Sequence, residues 1–269
     1  MNTEPIDRSL QKFFHHRFFL RAALYHVLDW LLTRSWHIHR EVKIWARNHP
    51  GPSHILDAGT GFGQNSYFLS RLNNNYSILS VDIQERQICD CNKFFRKLKK
   101  QNVYFKTVDL TTFDQPKAFD LILCVNVLNY IEKDVDLFKK FHENLDDDGI
   151  LLLANPSERA KEEIILNCED NVHGFTAARS GYTMAELKEK VKEAGFSKVK
   201  ARYAYGSTGI MAWRLAIKYP TYLVKKSKLF FLIFPLYFAV TLPIITVLNY
   251  YDAHVGHTSG KAIIAKAWK

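Results

Sequence analysis

The sequence predicts an α/β fold, a doubly wound sheet whose last strand is reached only after a long apolar insert. Three observations predict it. Short apolar segments alternate with amphipathic segments of helical length from His54 to Gly206, the pattern of buried strands joined by covering helices. The first apolar segment runs into a turn with three glycines. The first three each end in an aspartate.

The elements follow in order. Residues 1–50 form an N-terminal helical segment of two or three helices, aromatic and basic at helical spacing, closed by Pro50-Gly51. Its six histidines are expected on a wet or headgroup-facing helix surface, and His37 and His39, two positions apart, are badly placed to share a metal, so no metal site is expected. Residues 51–206 are the sheet domain: strand "HILDAGT", a helix from Gln64 to Leu72, strand "YSILSVDI", a helix from Gln84 to Lys99, and strands "VYFKTVDL" and "FDLILCVNV". A helix from Lys133 to Leu145, strand "GILLLANP", a helix from Thr183 to Ala194 and strand "SKVKARYAYG" complete it. Residues 207–260 form a hydrophobic helical insert or lid, and 261–269, "KAIIAKAWK", supply the final strand.

Charge is unevenly distributed within a net +10. Residues 1–50 carry eight Lys/Arg against four acids, 51–197 carry eighteen against twenty-two, and 198–269 carry eleven against one. A basic C-terminal quarter that also holds the longest apolar run points to anionic lipid more than to nucleic acid. The four cysteines, Cys89, Cys91, Cys124 and Cys168, form neither a disulfide framework nor a spaced zinc set, which fits a reducing, cytoplasmic setting. The N-terminus begins with acids and does not read as a secretory signal.

Chemistry concentrates in "ILDAGTGFGQ", Ile55 to Gln64. Gly59, Gly61 and Gly63 permit positive φ and close approach of backbone to a ligand, and their spacing, GxGxG, differs from the dinucleotide GxGxxG. Asp57 before the turn suits a ligand's amine. Asp82, nineteen residues beyond Gly63, suits the two hydroxyls of a ribose, and Asp109 suits an exocyclic amine, with Ile83 and Leu110 flanking the ring. Three acids at the carboxyl ends of adjacent strands converge on one crevice.

As an ordered set these motifs resemble the class I S-adenosylmethionine-dependent methyltransferases over roughly residues 53 to 200. "LDAGTGFGQ" resembles their first motif, "VDI" their ribose-binding acid, "VDL" their adenine contact, and "FDLILCVNVLNYI" their fourth strand and cofactor-facing loop. The resemblance implies S-adenosyl-L-methionine as cofactor, held by Asp57, Gly59, Thr60, Gly61, Gly63, Gln64, Asp82, Ile83, Asp109, Leu110, Asn126 and Val127. It also implies a Rossmann-like seven-stranded sheet with an antiparallel last strand. The insert makes the quinone-precursor and lipid-phenol branch the most similar.

The chain departs from the family at the base. The loop after the fourth strand reads Asn126 to Tyr130, "NVLNY", and "LDDDG" stands where many relatives turn through Pro-Gly-Gly. "ANPS", Ala154 to Ser157, resembles the Asn-Pro-Pro-Tyr box of amino-group DNA methyltransferases but follows the fifth strand, and Cys124 sits in mid-strand, which argues against a covalent cytosine mechanism. His173, next to Gly174, is the expected base or acceptor-binding residue, with Tyr130 the second candidate.

Leu229 to Leu248 holds twenty uncharged residues after a lysine cluster, long enough to cross a bilayer. A single crossing would leave the final strand on the wrong side of the membrane from its sheet. Pro235 and Pro243 are expected to break the run into shorter helices. The insert then covers its apolar surface with its own core packed on the N-terminal helices, a second subunit, a lipidic substrate or one leaflet of a membrane. The expected activity is methyl transfer from S-adenosylmethionine to a hydrophobic small molecule, at oxygen of a phenolic or lipid-like acceptor, by a cytoplasmic protein peripheral on the inner face of an anionic membrane. An RNA methyltransferase using the basic termini and a noncatalytic membrane-attached module are the other readings. A homodimer through the insert is compatible with each.

Overall fold

A computed structural model describes residues 18–162, 171–172, 175–176 and 178–269. Two N-terminal helices, α1 (Phe18–Leu31) and α2 (Thr33–Asn48), precede β1 (Ser53–Ala58), α3 (Gln64–Leu72), β2 (Tyr76–Asp82), α4 (Glu85–Lys97), β3 (Val103–Thr107) and β4 (Phe119–Val125). Then come α5 (Asp134–Asn144), β5 (Leu145–Pro156), α6 (Met184–Glu193) and β6 (Lys198–Ala204), the insert, and β7 (Ala262–Trp268). A two-residue ladder pairs Asn171–Val172 with Phe175–Thr176.

The seven strands lie in the order β3-β2-β1-β4-β5-β7-β6. β1 to β5 are parallel neighbours, whereas β7 runs antiparallel to both β5 and β6, as the family resemblance implies. Order reverses between β1 and β4, and at such a switch point the loops leaving adjacent strands part and open a crevice. Alternate strand residues feed two cores. Ile55, Ile78 and Leu123 pack with Val42 and Trp45 of α2, Tyr67 of α3 and Phe95 of α4, while Leu56, Ile122 and Leu153 pack with Phe138 of α5 and Leu187 of α6. α6 begins where the capping box places it, with Thr183 Oγ1 accepting from the Glu186 N–H at 3.1 Å.

The insert comprises α7 (Ser207–Trp213), a π-helical turn at Arg214–Lys218, α8 (Tyr219–Lys226), a 3₁₀ turn at Lys228–Leu232 and α9 (Phe234–His254). Neither proline breaks α9. Pro235 sits in its first turn, where an N–H would have no partner, and Pro243 lies on the exposed side, where the carbonyl of Ala239 is released away from the protein. The apolar run is therefore one 21-residue helix, the only one among the described residues long and apolar enough to cross a membrane. It leaves after β6 and returns to β7, and because β6 and β7 are paired, the insert starts and ends at one sheet edge.

Asp252 fastens this insert. Fully buried, it accepts from His37 Nε2 at 2.9 Å, from the backbone N–H groups of Tyr205, Gly206 and Gly209 at 3.0, 3.1 and 2.8 Å, and from Thr208 Oγ1 at 2.9 Å. His37 is thus inside, not on a wet surface. Its Nδ1 accepts from Arg202 at 2.7 Å, so the ring is the neutral Nε2–H tautomer, and burial lowers its pKa. His39 is packed too, its ring stacked 3.5 Å from that of Phe68, and burial holds its pKa near 3. Of the four described histidines of this segment, His26, His37, His39 and His49, only His26 is exposed, where all were expected on the helix surface.

Candidate cofactor site

The site is built at the carboxyl ends of β1, β2 and β4. Leaving β1, the chain turns through Gly59, Gly61 and Gly63, at φ of +80°, +53° and +81°. The N–H groups of Gly59 and Thr60 both donate to the Val81 carbonyl at 2.9 Å, which ties the turn to the end of β2. A Cβ on Gly59 would lie 2.2 Å from Val127 Cγ2, so only glycine lets the loop after β4 rest on this turn.

Asp82 ends β2 beside that turn. It is 5 % exposed, its Oδ2 accepts from the Gly61 N–H at 2.9 Å and its Oδ1 from the Gln84 N–H at 3.0 Å. Each oxygen has one fixed backbone donor and retains capacity for another, the requirement for gripping a vicinal diol. Ile83, the next residue, exposes a large apolar side chain at the same edge.

Asp57 lies deeper. Its Oδ2 accepts from Thr60 Oγ1 at 2.7 Å and Ser66 Oγ at 2.6 Å, and burial, opposed by these hydrogen bonds, pushes its carboxyl up to about 6. Asp57 and Thr60 hold the turn together from inside, and any effect of Asp57 on a ligand is through its charge beneath the turn. Gly63 faces Cys91, Phe95 and Tyr25, and Gln64 donates to Asp29 Oδ1 at 2.6 Å and Ser35 Oγ at 3.1 Å. Both side-chain positions thus meet the protein interior and the N-terminal helices. Asp109 lies in an exposed turn, its Oδ1 taken by Thr111 N at 2.9 Å and Thr111 Oγ1 at 2.8 Å, and Leu110 is buried in the core.

The loop after β4 starts at Asn126, which adopts φ +55°, a left-handed conformation that asparagine tolerates better than most residues, and whose N–H donates to the Ala154 carbonyl at 2.8 Å. A 3₁₀ turn, Leu128–Tyr130, follows. The Asn129 carbonyl accepts from Ala178 N at 2.8 Å, and Arg179 reaches the Ile131 and Glu132 carbonyls and Asp134. His173, the expected base, lies outside the described residues. Cys124 is buried and its thiol pKa is pushed up by that burial, so it is no nucleophile.

Two groups of residues escape sequence reasoning. Arg21 and Tyr25 of α1 both donate to the Phe62 carbonyl inside the glycine turn, Arg21 Nη2 at 2.8 Å, and the guanidinium stacks 4.4 Å from the Phe62 ring. An arginine set among the apolar residues of "FFLRAALY" is the only local signal for this latch. Asn129 and Asn155 are the second group. Asn155, near the end of β5, is 1 % exposed with neither amide atom partnered, and Asn129 Oδ1 is likewise buried without a partner. Buried amides left open beside the strand ends are suited to a ligand's polar atoms.

Strand order, glycine turn and ribose-type acid together define a nucleoside-binding α/β domain of methyltransferase type. Residues 52–208 match the methyltransferase domain family, and the chain belongs to it. By family and fold it is a class I S-adenosylmethionine-dependent methyltransferase domain. Among solved structures it is similar to phosphoethanolamine N-methyltransferase 2 of Haemonchus contortus, in complex with phosphomonomethylethanolamine and S-adenosylhomocysteine. That match has a TM-score of 0.61 and 15 % identity and covers 96 % of this chain and 59 % of the other. The chain thus spans about three fifths of that enzyme's length. It is also similar to an S-adenosylmethionine-dependent methyltransferase from Mesorhizobium loti (TM-score 0.53, 14 % identity, 81 % of this chain and 92 % of the other). A third similar structure is the [4+2]-cyclase SpnF (TM-score 0.53, 19 % identity, 81 % of this chain and 75 % of the other). No curated protein sequence matches the chain.

Proposed function

We propose that the protein transfers the methyl group of S-adenosylmethionine to an oxygen of a hydrophobic, phenolic or lipid-like acceptor drawn from a membrane surface. The observation that carries the cofactor half is Asp82, anchored by two backbone donors beside a turn that only glycine permits. The residues present fit the cofactor: Asp82 for the ribose, Ile83 for the base, and the Gly59–Gly61 turn with Val127 for the methionine portion. When bound, the cofactor supplies an activated methyl on sulfur, which leaves as the neutral thioether when the acceptor oxygen takes the methyl. The chain's own work is alignment, exclusion of water and removal of the acceptor's proton.

The acceptor half rests on charge. Among the described residues around the loop after β4, the buried polar atoms without a partner belong to the neutral amides Asn129 and Asn155 and to Nε of Arg179, whose charge is balanced by Asp134 and whose other nitrogens reach Asp134 and two carbonyls. Such surroundings favour an uncharged acceptor over a phosphate-bearing one like that bound by the Haemonchus contortus enzyme. The apolar insert supports a lipid-like class. His173 takes the phenolic proton in this reading, because an unperturbed histidine is basic at neutral pH whereas the amides are not, and Tyr130 is the alternative.

The test is methyl transfer from labelled cofactor to a panel of hydrophobic phenols, with phosphoethanolamine and RNA as comparison acceptors. A product heavier by one methyl from a phenol supports the reading. Labelling of phosphoethanolamine or RNA alone would contradict it. His173→Ala should lower turnover about a hundredfold with cofactor affinity unchanged.

A further inference from the structure

Helix α9 is inverted. Its protein-facing stripe is Thr241, Ile245, Asn249 and Asp252, all buried, and its outward stripe is Leu236, Val240, Ile244 and Val247, 49–70 % exposed. The two stripes have the same spacing, offset by five positions, which at about 100° per residue sets them on roughly opposite faces. A water-facing helix has the reverse arrangement. The polar residues inside are satisfied: Asn249 bonds Thr33 Oγ1 at 2.6 Å and the Trp30 carbonyl at 3.3 Å, and Asp252 holds its five donors. These bonds fix the helix's rotation, so the apolar stripe cannot turn inward to escape solvent.

The outward stripe continues into Leu229 and Leu232, 73 % and 80 % exposed. Between Arg214 and Tyr251 the chain carries five cations, Arg214, Lys218, Lys225, Lys226 and Lys228, and no carboxylate. Tyr219 and Tyr222 are exposed in the same segment. An apolar ridge bordered by lysines and tyrosines, without acids, is complementary to acyl chains beneath anionic headgroups. It is a poor match to a second copy of itself, since a two-fold contact would bring two acid-free basic surfaces together.

We infer that the outer face of α9, with the Lys228–Leu232 turn, docks the protein into one leaflet of an anionic bilayer, without crossing it. The two-way attachment at one sheet edge keeps both ends of the insert on the domain's side. The inference deepens the reading of a lipid-derived acceptor. It is separable from it, because docking is measured without acceptor or turnover.

The experiment is flotation of the whole chain with vesicles of phosphatidylcholine alone or with phosphatidylglycerol. The wild type should float with the anionic vesicles at least tenfold more strongly than with the neutral ones. Lys226→Ala should weaken this about fivefold, the effect of one basic residue at such a surface. Leu232→Glu combined with Leu236→Glu should weaken it at least tenfold. Both leucines are exposed, so circular dichroism and calorimetric cofactor binding should stay as in the wild type. Failure of cofactor binding in the wild type would instead strike the proposed function. Absence of flotation would overturn the inference, as would flotation undiminished in the double variant. A detergent-free dimer that ignores vesicles and dissociates in the double variant would make the face a self-interface and overturn it too.

Discussion

Asp252→Ala should destabilise the fold more than most substitutions at a residue outside the sheet. The aspartate accepts three backbone N–H groups, from Tyr205, Gly206 and Gly209, in addition to Thr208 and His37. Removing it leaves those buried donors without a partner. Each unpaired buried donor costs about 1–3 kcal/mol, and water entering the vacated space recovers part, so the net loss is about 3–5 kcal/mol. At about 2–4 °C per kcal/mol for a chain of this size, the melting temperature should fall by about 10 °C. The carboxyl itself is raised by burial, but the hydrogen bonds and charge of its partners outweigh this and hold its pKa below the usual range. Its stabilisation is therefore present above the unfolded value of about 3.9 and is lost as pH falls through the folded value. Thermal unfolding by circular dichroism at pH 7 and pH 3.5 measures both effects, and the gap between wild type and Asp252→Ala should narrow at the lower pH. A melting temperature within 1 °C of wild type at pH 7 would refute the reasoning that this side chain fastens the insert.

Two further outcomes follow from the glycine turn. Gly59→Ala places a Cβ 2.2 Å from Val127 Cγ2 at φ +80°, and should weaken cofactor binding about tenfold, with Val127→Ala restoring part of it in the double variant. No restoration, measured by calorimetry, would mean the strain lies in the backbone alone. With Asp57 lifted to about 6 by burial, its charge beneath the turn is lost below that pH. Affinity for the cationic cofactor should be about tenfold weaker at pH 5 than at pH 7.5, and Asp57→Asn should flatten the profile. A wild-type profile already flat over that range would exclude Asp57 as the source.

The sheet was legible because its signals are local. The central strands β4 and β5 carry continuous apolar runs, the helices between strands are periodic, and α3 and α6 start at their glycine and threonine signals. The position of Asp82 was legible for the same reason, since it ends the strand that follows the glycine turn. What escaped depends on partners distant in sequence. His37 reads as a surface histidine until the insert returns 215 positions later with Asp252. Gln64 reads as a ligand contact, yet α1 and α2 claim its side chain through Asp29 and Ser35. Proline in α9 reads as a break, but the consequence depends on which side of the helix it faces, and periodicity could not supply that for a run that is apolar throughout. The lone acid of the last quarter, Asp252 among eleven cations, was the available clue.

Calorimetric titration of S-adenosylmethionine into the wild type and Asp82→Ala bears on the central claim most directly. The account predicts one site per chain in the wild type. In the variant it predicts affinity weaker by at least tenfold, since two charge-assisted hydrogen bonds worth about 1.5–3 kcal/mol each are lost before water compensates. Asp82→Asn, which keeps an acceptor for the Gly61 or Gln84 N–H, should fall between them with an unchanged fold by circular dichroism. No binding to the wild type, or equal affinity in a folded Asp82→Ala, would contradict the claim that this crevice holds the cofactor.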